Sequence, residues 1–241
     1  MADLYSRKQF ELHEKEAIKR FPGPKYFKVL EWVHGIVRPH LYVEIGVSRG
    51  DSLKLVPSTA KAIGIDPAPR CKSRSNARIF EMTSDDFFAQ ADAGAIPGVE
   101  NISLSFIDGL HTYDQALRDF VNLEKLSAPG SAIMFHDCIP LDEATAANPR
   151  EAQFYTGDVW KTMLILVRKR PDLKIGIVPT WPSGLAIVTK LNPKSTVLQE
   201  ELPNLVEEYR PLGFGDYHSI LNELPTEIRI DPSAIRQFLH S

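Results

Sequence analysis

The sequence predicts an α/β protein built on a mainly parallel sheet, and two features of the chain support this class. Short apolar segments typical of buried strands recur from Leu41 onward, with segments that can form helices between them. Further along, two more apolar segments are separated only by Trp181, Pro182 and Ser183. That gap is too short for a helical crossover, so these last two strands should form an antiparallel hairpin.

The elements can be placed in chain order from their apolar spacing. Two helices come first, at 3–21 and 26–37, because apolar residues recur there at helical intervals. Five strands follow in the segments LYVEI, KAIGID, ARIFEM, ISLSFID and SAIMFHD, and the clearest helix between them covers 112–126. A helix at about 158–170 precedes the hairpin strands LKIGIVPT and GLAIVTK. The sequence thus predicts seven strands, with a helical cap at 1–40, a central domain at 41–190 and a helical C-terminal appendage of that domain at 191–241.

The composition limits the classes of function. The chain has 241 residues, of which 43% are hydrophobic and 24% charged, as in ordinary globular proteins. It has no apolar run of the roughly 18 residues that a membrane helix needs, and its first residues lack the apolar stretch of a secretory signal. A formal charge of −3 argues against nucleic-acid binding, and two cysteines cannot form a disulfide framework. We therefore expect a cytoplasmic protein that binds neither nucleic acid nor membrane.

The turn after the first strand, in YVEIGVSRGDSL, allows three interpretations. Gly46 and Gly50 permit a sharp turn and a close approach of the backbone to a ligand. A dinucleotide phosphate loop would need a third glycine, which this turn lacks. The segment is also a literal GxSxG, as in the nucleophile elbow of serine hydrolases, with Ser48 as nucleophile and Asp216 and His218 in the right chain order.

The third interpretation rests on acidic residues at strand ends. Glu44 lies at the end of the first strand, Asp66 ends the second, and Asp85 follows the third. A carboxylate beside a glycine turn repels phosphate but suits an ammonium group and hydroxyls, and Asp66 is placed to accept hydrogen bonds from ribose. Three acids around one crevice therefore favour a nucleoside with a positive centre, and S-adenosylmethionine fits that description. Each acid has the alternative role of capping a helix.

Four further side chains follow the fourth and fifth strands. Asp108 and His111 lie in FIDGLHTYD, and His136 and Asp137 lie in GSAIMFHDC. Because these strands are neighbours, the four side chains should converge on one crevice. A metal held by carboxylates beside a free imidazole suits the deprotonation of a hydroxyl. Adjacent strand residues point to opposite faces, so His136 and Asp137 can share an ion only where the strand has ended.

At this point the chain resembles a known family. The segments EIGVSRG, IGIDP, SFIDGLHTYDQALRDF and GSAIMFHD are similar to successive motifs of class I S-adenosylmethionine-dependent methyltransferases. The closest resemblance is to the branch with macrocin-type sugar O-methyltransferases and cephalosporin-hydroxylase-like proteins, and it covers roughly Tyr42 to Lys190. It implies a Rossmann-like sheet of order 3-2-1-4-5-7-6 with helices on both faces and the cofactor above the first strand.

The resemblance also implies roles for individual residues. The cofactor S-adenosyl-L-methionine would be bound by residues of the first four strand ends, which are Glu44, Gly46, Ser48, Gly50, Asp66, Asp85 and Asp108. A divalent cation, Mg or Mn, would be held by Asp108, His136 and Asp137, with His111 as the catalytic base. His136 stands where the better-known metal-dependent enzymes carry a carboxylate, and an imidazole favours softer ions. The same departure leaves open a facial triad of His111, His136 and Asp137 for iron-dependent oxygenation or hydroxylation.

The substrate side is less defined by the sequence. The polar loop 138–157 should lie over the crevice as a lid or substrate loop. Trp160 and Trp181 are candidates to stack on a sugar or an aromatic acceptor, and Arg150 and Tyr155 are weaker ones. The N-terminal helices can either cover the pocket or form the contact of a homo-oligomer. We expect metal-assisted O-methylation of a small-molecule hydroxyl, with a serine hydrolase or a metal-dependent oxygenase as alternatives.

Overall fold

One eight-stranded sheet forms the centre of the structure, a computed structural model that describes residues 6–241. The strands are β1 (Leu41–Ile45), β2 (Lys61–Asp66), β3 (Ala77–Glu81), β4 (Ile102–Ile107), β5 (Ser127–His136), β6 (Lys174–Val178), β7 (Leu185–Thr189) and β8 (Thr226–Glu227). Their order across the sheet is β3-β2-β1-β4-β5-β7-β6-β8. The first five strands are parallel, and β7 runs antiparallel to both β5 and β6. The Rossmann-like α/β fold and the terminal hairpin are confirmed.

Nine helices surround this sheet in the part of the chain that the structure describes. They are α1 (Arg7–Arg20), α2 (Tyr26–Val37), α3 (Ser84–Asp92), α4 (Tyr113–Leu126), α5 (Glu143–Ala146), α6 (Trp160–Lys169), α7 (Val197–Tyr209), α8 (Phe214–Ser219) and α9 (Pro232–His240). The predicted helix at 3–21 begins before the described residues, so its first part lies outside them. No helix within residues 6–241 combines the length and the apolar character that crossing a membrane requires.

The number of strands differs from the seven predicted. The eighth strand, β8, comes from the C-terminal region that was expected to be helical, and it pairs parallel with β6 through Gly176 and Ile177. Two residues carry no alternation that a sequence pattern could reveal. The rest of that region is largely helical, as expected, in α7, α8 and α9.

The helices expected after β1 and β2 are not formed. Only a 3₁₀ turn at Leu53–Leu55 lies between β1 and β2, and no helix lies between β2 and β3. Gly50 and Pro57 leave too few residues between them for a stable α-helix. The sheet face that a crossover helix would cover is instead covered by α2, which contacts both α9 and this turn.

Alternating side chains of the strands supply two apolar cores, one on each side of the sheet. On one side, Val43 and Ile45 pack with α3, α4, α6 and α7. On the other side, Tyr42 and Phe106 pack with α2, from which Val29, Leu30 and Val33 are fully buried, and with α9. Because both faces are covered, the carboxyl ends of the parallel strands are the part of the sheet left open to a ligand.

Candidate active site

A cavity of about 590 Å³ lies at the carboxyl edge of the parallel strands. Seven of the ten residues predicted from the strand ends line it, namely Gly46, Ser48, Asp66, Asp108, His111, His136 and Asp137. Three others, Glu44, Gly50 and Asp85, are not among the lining residues. The structure therefore brings together most of the strand-end residues in one cavity.

Gly46 brings the turn after β1 against the end of β4. Its φ is +87°, and a Cβ atom at this position would lie 1.9 Å from the carbonyl oxygen of Asp108. Its N–H donates to the carbonyl of Ile65 at 2.9 Å, which fixes the turn to the end of β2 as well. Any other residue here would collide with backbone and be conformationally strained, so glycine is required for this close approach.

Asp66 holds the same turn from the side of β2. Its two carboxylate oxygens accept hydrogen bonds from the backbone N–H groups of Ser48 and Ala68, each at 2.7 Å. The carbonyl of Ser48 accepts in turn from the N–H of Arg70 at 2.8 Å. A carboxylate has about four acceptor positions, so Asp66 can still accept hydrogen bonds from a ligand in the cavity.

Glu44 lies beneath the turn rather than in the cavity. Its side chain is fully buried, and its carboxylate accepts hydrogen bonds from the Tyr42 hydroxyl at 2.7 Å and from the Ser52 hydroxyl at 2.6 Å. Burial raises the pKa of Glu44 to about 8, although these two hydrogen bonds oppose the rise. Residues two apart in a strand share a face, so Glu44 lies with Tyr42 on the face that packs under α2. The structure therefore does not place Glu44 where a ligand in the cavity could contact it directly.

Gly50 and Asp85 also have local roles in the structure. Gly50 has a φ of +71°, and a Cβ atom there would lie 3.0 Å from the sulfur of Cys71. Asp85 lies exposed in the first turn of α3, where Gln115 donates to its carboxylate at 3.0 Å. Neither residue reaches the cavity, because the first supports the turn and the second faces α4.

Two histidines and two aspartates form a compact cluster in the cavity. The Nδ1 atom of His136 lies 3.1 Å from Asp108 and 3.3 Å from Asp137. His111 contacts the same carboxylates, with Nδ1 at 3.0 Å from Asp137 and Nε2 at 3.5 Å from Asp108. The hydroxyl of Ser183 donates to the second oxygen of Asp137. The sequence-based expectation that these four strand-end side chains converge agrees with this geometry.

The backbone explains how His136 and Asp137 reach the same site. His136 is the last residue of β5, and Asp137 beyond it has a left-handed φ of 59°. His111, which precedes α4, is also left-handed, with a φ of 63°. Because Asp137 lies outside the strand, the alternation of side chains no longer applies to it.

The carboxylates and imidazoles of the cluster shift one another's pKa values. Burial alone would lower the pKa of His136, but the carboxylates of Asp137 and Asp108 raise it to about 10. The same carboxylates hold the pKa of His111 well above its ordinary value, against the effect of burial. The neighbouring imidazoles in turn hold the pKa values of Asp108 and Asp137 below the ordinary range, although burial opposes this. Opposite charges thus compensate each other at the bottom of the cavity.

A cation could be held by part of this cluster. One ligand atom from each of Asp108, His111 and Asp137 lies within 4.8 Å of the other two. The sequence-based set instead combined the two aspartates with His136 and reserved His111 as a base. Carboxylate oxygens suit Mg²⁺ and Mn²⁺, and one imidazole suits transition ions, so the donor set fits a divalent cation.

The outer cavity is formed by residues that the sequence analysis did not single out. The ring of Tyr26 lies against that of His136, with centroids 4.0 Å apart. Further lining residues come from the N-terminal helices and the loop 138–157, and they include Phe10, Glu14, Lys25, Phe27, Gln153 and Phe154. Strand-end rules cannot reveal such residues, because tertiary packing brings them to the site.

Four suggested substrate-side residues have different positions in the structure. Trp181, Arg150 and Tyr155 line the cavity, and the Tyr155 ring is stacked on His111 at 5.7 Å. Trp160 is 1% exposed and does not line the cavity. It packs against Tyr217 and therefore belongs to the core.

Comparisons with known proteins agree with this architecture. Residues 43–138 match the sequence model of a family described as a methyltransferase domain. None of the curated proteins matches the chain. An O-methyltransferase from Bacillus cereus in complex with SAH is similar in structure, with a TM-score of 0.51, 14% identity, and coverage of 78% of this chain and 92% of the other. A cofactor-bound protein from MTB is similar with a TM-score of 0.52, 12% identity, and coverage of 78% and 91%.

The α/β fold, with a cavity at the carboxyl edge of its sheet, is the fold of class I methyltransferases. Residues 43–138 match the methyltransferase-domain model, which agrees with the motif resemblance over the same part of the chain. The methyltransferase fold expected from the motif resemblance is confirmed.

The serine-hydrolase alternative is not favoured. Ser48 lines the cavity, but neither Asp216 nor His218 does. Asp216 accepts a hydrogen bond from the N–H of Gly213, and the His218 ring packs against Phe214 within α8. The order of these residues along the chain therefore does not correspond to a catalytic triad around Ser48.

Proposed function

We propose that this protein transfers the methyl group of S-adenosylmethionine to a hydroxyl of a small molecule, with a divalent cation at the acceptor. The observation that carries the proposal is the position of the Asp108–His111–His136–Asp137 cluster. It lies in the same cavity as the Gly46 turn and Asp66. One cavity thus offers hydrogen-bond acceptors for an adenosyl ligand as well as groups that can deprotonate a hydroxyl.

The adenosyl half is supported by the turn after β1. The absence of a side chain at Gly46 leaves room for a ligand to approach the backbone above β1. Asp66 lies at the end of β2, where a carboxylate can accept hydrogen bonds from ribose hydroxyls. Glu44 supports this turn from below through Ser52 and Tyr42.

The acceptor half is supported by the histidine–carboxylate cluster. The acceptor oxygen attacks the methyl carbon, the carbon–sulfur bond breaks with its electron pair on sulfur, and S-adenosylhomocysteine leaves. The hydroxyl proton goes to the His111 imidazole, which Asp137 orients through a 3.0 Å contact. His111 must be neutral to accept it, and a cation held by the two carboxylates would offset the negative charge that raises its pKa. Asp108 and Asp137 would hold the cation, which when bound lowers the pKa of the acceptor hydroxyl.

Calorimetry with S-adenosylhomocysteine tests the cofactor half. Wild-type protein is expected to bind it, and Asp66→Asn should weaken binding about tenfold, because a charge-assisted hydrogen bond contributes about 1.5–3 kcal/mol. Asp92→Asn is the matched control, since Asp92 pairs with Lys125 on the surface away from the cavity. Absence of binding to the wild type would contradict the proposal.

Titration with Mn²⁺ followed by electron paramagnetic resonance tests the cation half. Asp108→Asn and Asp137→Asn should each abolish tight binding of one ion. The two histidines can then be assigned by comparing His111→Ala with His136→Ala. If His111 is the base, His111→Ala still binds the ion but loses methyl transfer, whereas His136→Ala binds the ion more weakly. Oxygen consumption with 2-oxoglutarate would instead favour the oxygenase alternative.

A further inference from the structure

Lys25 lines the outer cavity and is surrounded by aromatic rings. Its Nζ atom lies 4.6 Å from the centroid of Trp181, 4.8 Å from that of Phe27 and 5.9 Å from that of Tyr26. Such contacts attract an ammonium group to ring faces, but they leave its charge intact. Lys25 therefore presents a positive charge to the cavity.

Lys25 has no carboxylate partner in the part of the chain that the structure describes. No ion pair within 4.0 Å joins its Nζ to an acidic group of residues 6–241. The nearby Asp51 pairs with Lys54 at 2.8 Å, and Glu14, which lines the same cavity, makes no such contact with Lys25. Lys25 is an exposed residue that lines this cavity, so its ammonium is solvated when no ligand is bound and can pair with a ligand that enters.

The backbone fixes where this charge lies. The N–H of Tyr26 donates to the carbonyl of Trp181 at 2.9 Å, and the hydroxyl of Thr180 donates to the carbonyl of Pro24 at 2.6 Å. These bonds join the start of α2 to the loop between β6 and β7. Since Tyr26 lies against His136 at 4.0 Å and Lys25 Nζ is 5.9 Å from the Tyr26 ring, Lys25 Nζ lies within about 10 Å of the His136 ring.

We propose that Lys25 is the carboxylate-binding residue of this cavity. It binds the carboxylate of a ligand whose reacting part lies at the histidine–carboxylate cluster, and so the inference rests on the function proposed above. Two ligands can supply that group, namely the amino-acid part of the cofactor and an acceptor that bears both a hydroxyl and a carboxylate. Asp51 and Asp66 also line the cavity, and their charges disfavour a dianion such as phosphate more than a single carboxylate.

A neutral variant separates charge from packing. Lys25→Met keeps an apolar chain against the three rings and removes only the ammonium, whereas Lys25→Arg keeps the charge. Lys28→Met is the matched control, because Lys28 lies in the first turn of α2, just after Lys25, and pairs with Glu31 outside the cavity. The folded state of each variant is checked by its thermal midpoint.

Calorimetry with four probes then tests the proposal. S-adenosylhomocysteine carries the amino-acid carboxylate and 5′-methylthioadenosine lacks it; 3,4-dihydroxybenzoate carries a carboxylate and catechol lacks it. If the cofactor supplies the carboxylate, Lys25→Met weakens the binding of S-adenosylhomocysteine about tenfold and leaves the affinity for 5′-methylthioadenosine unchanged. If the methyl acceptor supplies the carboxylate, the variant leaves the affinities for both nucleosides unchanged. It then weakens the binding of 3,4-dihydroxybenzoate about tenfold relative to that of catechol.

Either pattern supports the carboxylate site, provided that Lys25→Arg restores binding and Lys28→Met has no effect. Equal affinities of Lys25→Met and wild type for all four probes overturn it. Wild-type protein that binds 3,4-dihydroxybenzoate through Lys25 but not S-adenosylhomocysteine would support the site while contradicting the proposed methyl transfer. The two failures are therefore distinguishable.

Discussion

Gly157 lies directly against the main chain of His111. A Cβ atom added to Gly157 would be 1.8 Å from the carbonyl oxygen of His111, and both residues are left-handed, with φ values of 59° and 63°. Gly157 closes the loop 138–157, and its N–H donates to the carbonyl of Thr145 at 3.0 Å. The position of the proposed base thus depends on the absence of a side chain at a residue that follows it in the chain by three elements, α4, β5 and α5.

Gly157→Ala is therefore expected to slow methyl transfer by about 100-fold, because displacing a reacting group by about 1 Å has an effect of that size. The measurement is the transfer rate with the best acceptor found for the wild type. Gly94→Ala is the control, since Gly94 is also left-handed (φ 74°) but has no atom within 4 Å of an added Cβ. Equal rates for the two variants would show that backbone strain alone, rather than contact with His111, accounts for any change.

Removing one partner of the buried ion pair between Glu124 and Arg170 should destabilise the protein. The guanidinium donates to both carboxylate oxygens at 2.7 and 2.9 Å, and Arg170 is 2% exposed. Glu124→Ala leaves a buried charge that is only partly compensated by Asp172, so it should lower the free energy of unfolding by about 3–5 kcal/mol.

Chemical denaturation measures this loss. The control is Glu223→Ala, which removes the partly exposed partner of Arg168 and should cost less than about 1 kcal/mol. A loss for Glu124→Ala as small as that of the control would mean that Asp172 alone compensates Arg170.

The stability of the protein should fall in mild acid because of His34. This side chain of α2 is 2% exposed, and neither ring nitrogen has a hydrogen-bond partner among residues 6–241. Burial lowers its pKa to about 4, whereas the unfolded chain has a value near 6.5. The unfolded state therefore binds the proton more readily. The contribution of neutral His34 to the free energy of unfolding is complete above about pH 6.5, and up to about 3 kcal/mol of it is lost as the pH falls toward 4.

Unfolding free energies between pH 7 and pH 4 check this prediction. His34→Leu should reduce the slope in that range, while His240→Gln, at an exposed position of α9, should leave it unchanged. The same slope in wild type and His34→Leu would show that other groups cause the acid sensitivity.

Helix α1 is expected to hold the loop 138–157 over the cavity. The Nε2 atom of His13 lies 3.1 Å from Asp142, the ring of Phe10 is 6.2 Å from that of Phe154, and Arg20 donates to the carbonyl of Pro140 at 2.8 Å. His13→Ala removes one of these contacts, so amide hydrogens around Thr145 should exchange about fivefold faster, as expected for the loss of about 1 kcal/mol.

Hydrogen exchange followed by mass spectrometry gives this rate. Lys15→Ala, at an exposed position of α1, should leave the exchange unchanged. Unaltered exchange in His13→Ala would show that the loop is held without this contact.

Sequence patterns predicted the sheet well because buried parallel strands are short, continuous apolar segments. They failed between β1 and β2, where the expected helix is replaced by a 3₁₀ turn at Leu53–Leu55 and α2 covers that face of the sheet. The covering of this face by α2 depends on packing between segments far apart in the chain, and local periodicity carries no information about such packing.

The site shows the same division. Strand-end residues such as Asp108 and Asp137 were predictable, since parallel strands end at one edge. The position of Glu44 was misjudged, although its spacing of two from the core residue Tyr42 already indicates the inner face. Lys25 and Tyr26 were missed because their contacts with Trp181 and His136 join distant parts of the chain.

The double duty of α2 constrains how this protein can be redesigned. Its buried side, with Val29, Leu30 and Val33, is part of the core, while its first turn supplies Tyr26 to the cavity. A chimera that exchanges the N-terminal segment to alter selectivity must therefore also transfer apolar residues that match the core, together with the new cavity-lining residues. A shortened version that starts at β1 would uncover part of one sheet face and lose the cavity-lining residues Phe10, Glu14, Lys25, Tyr26 and Phe27.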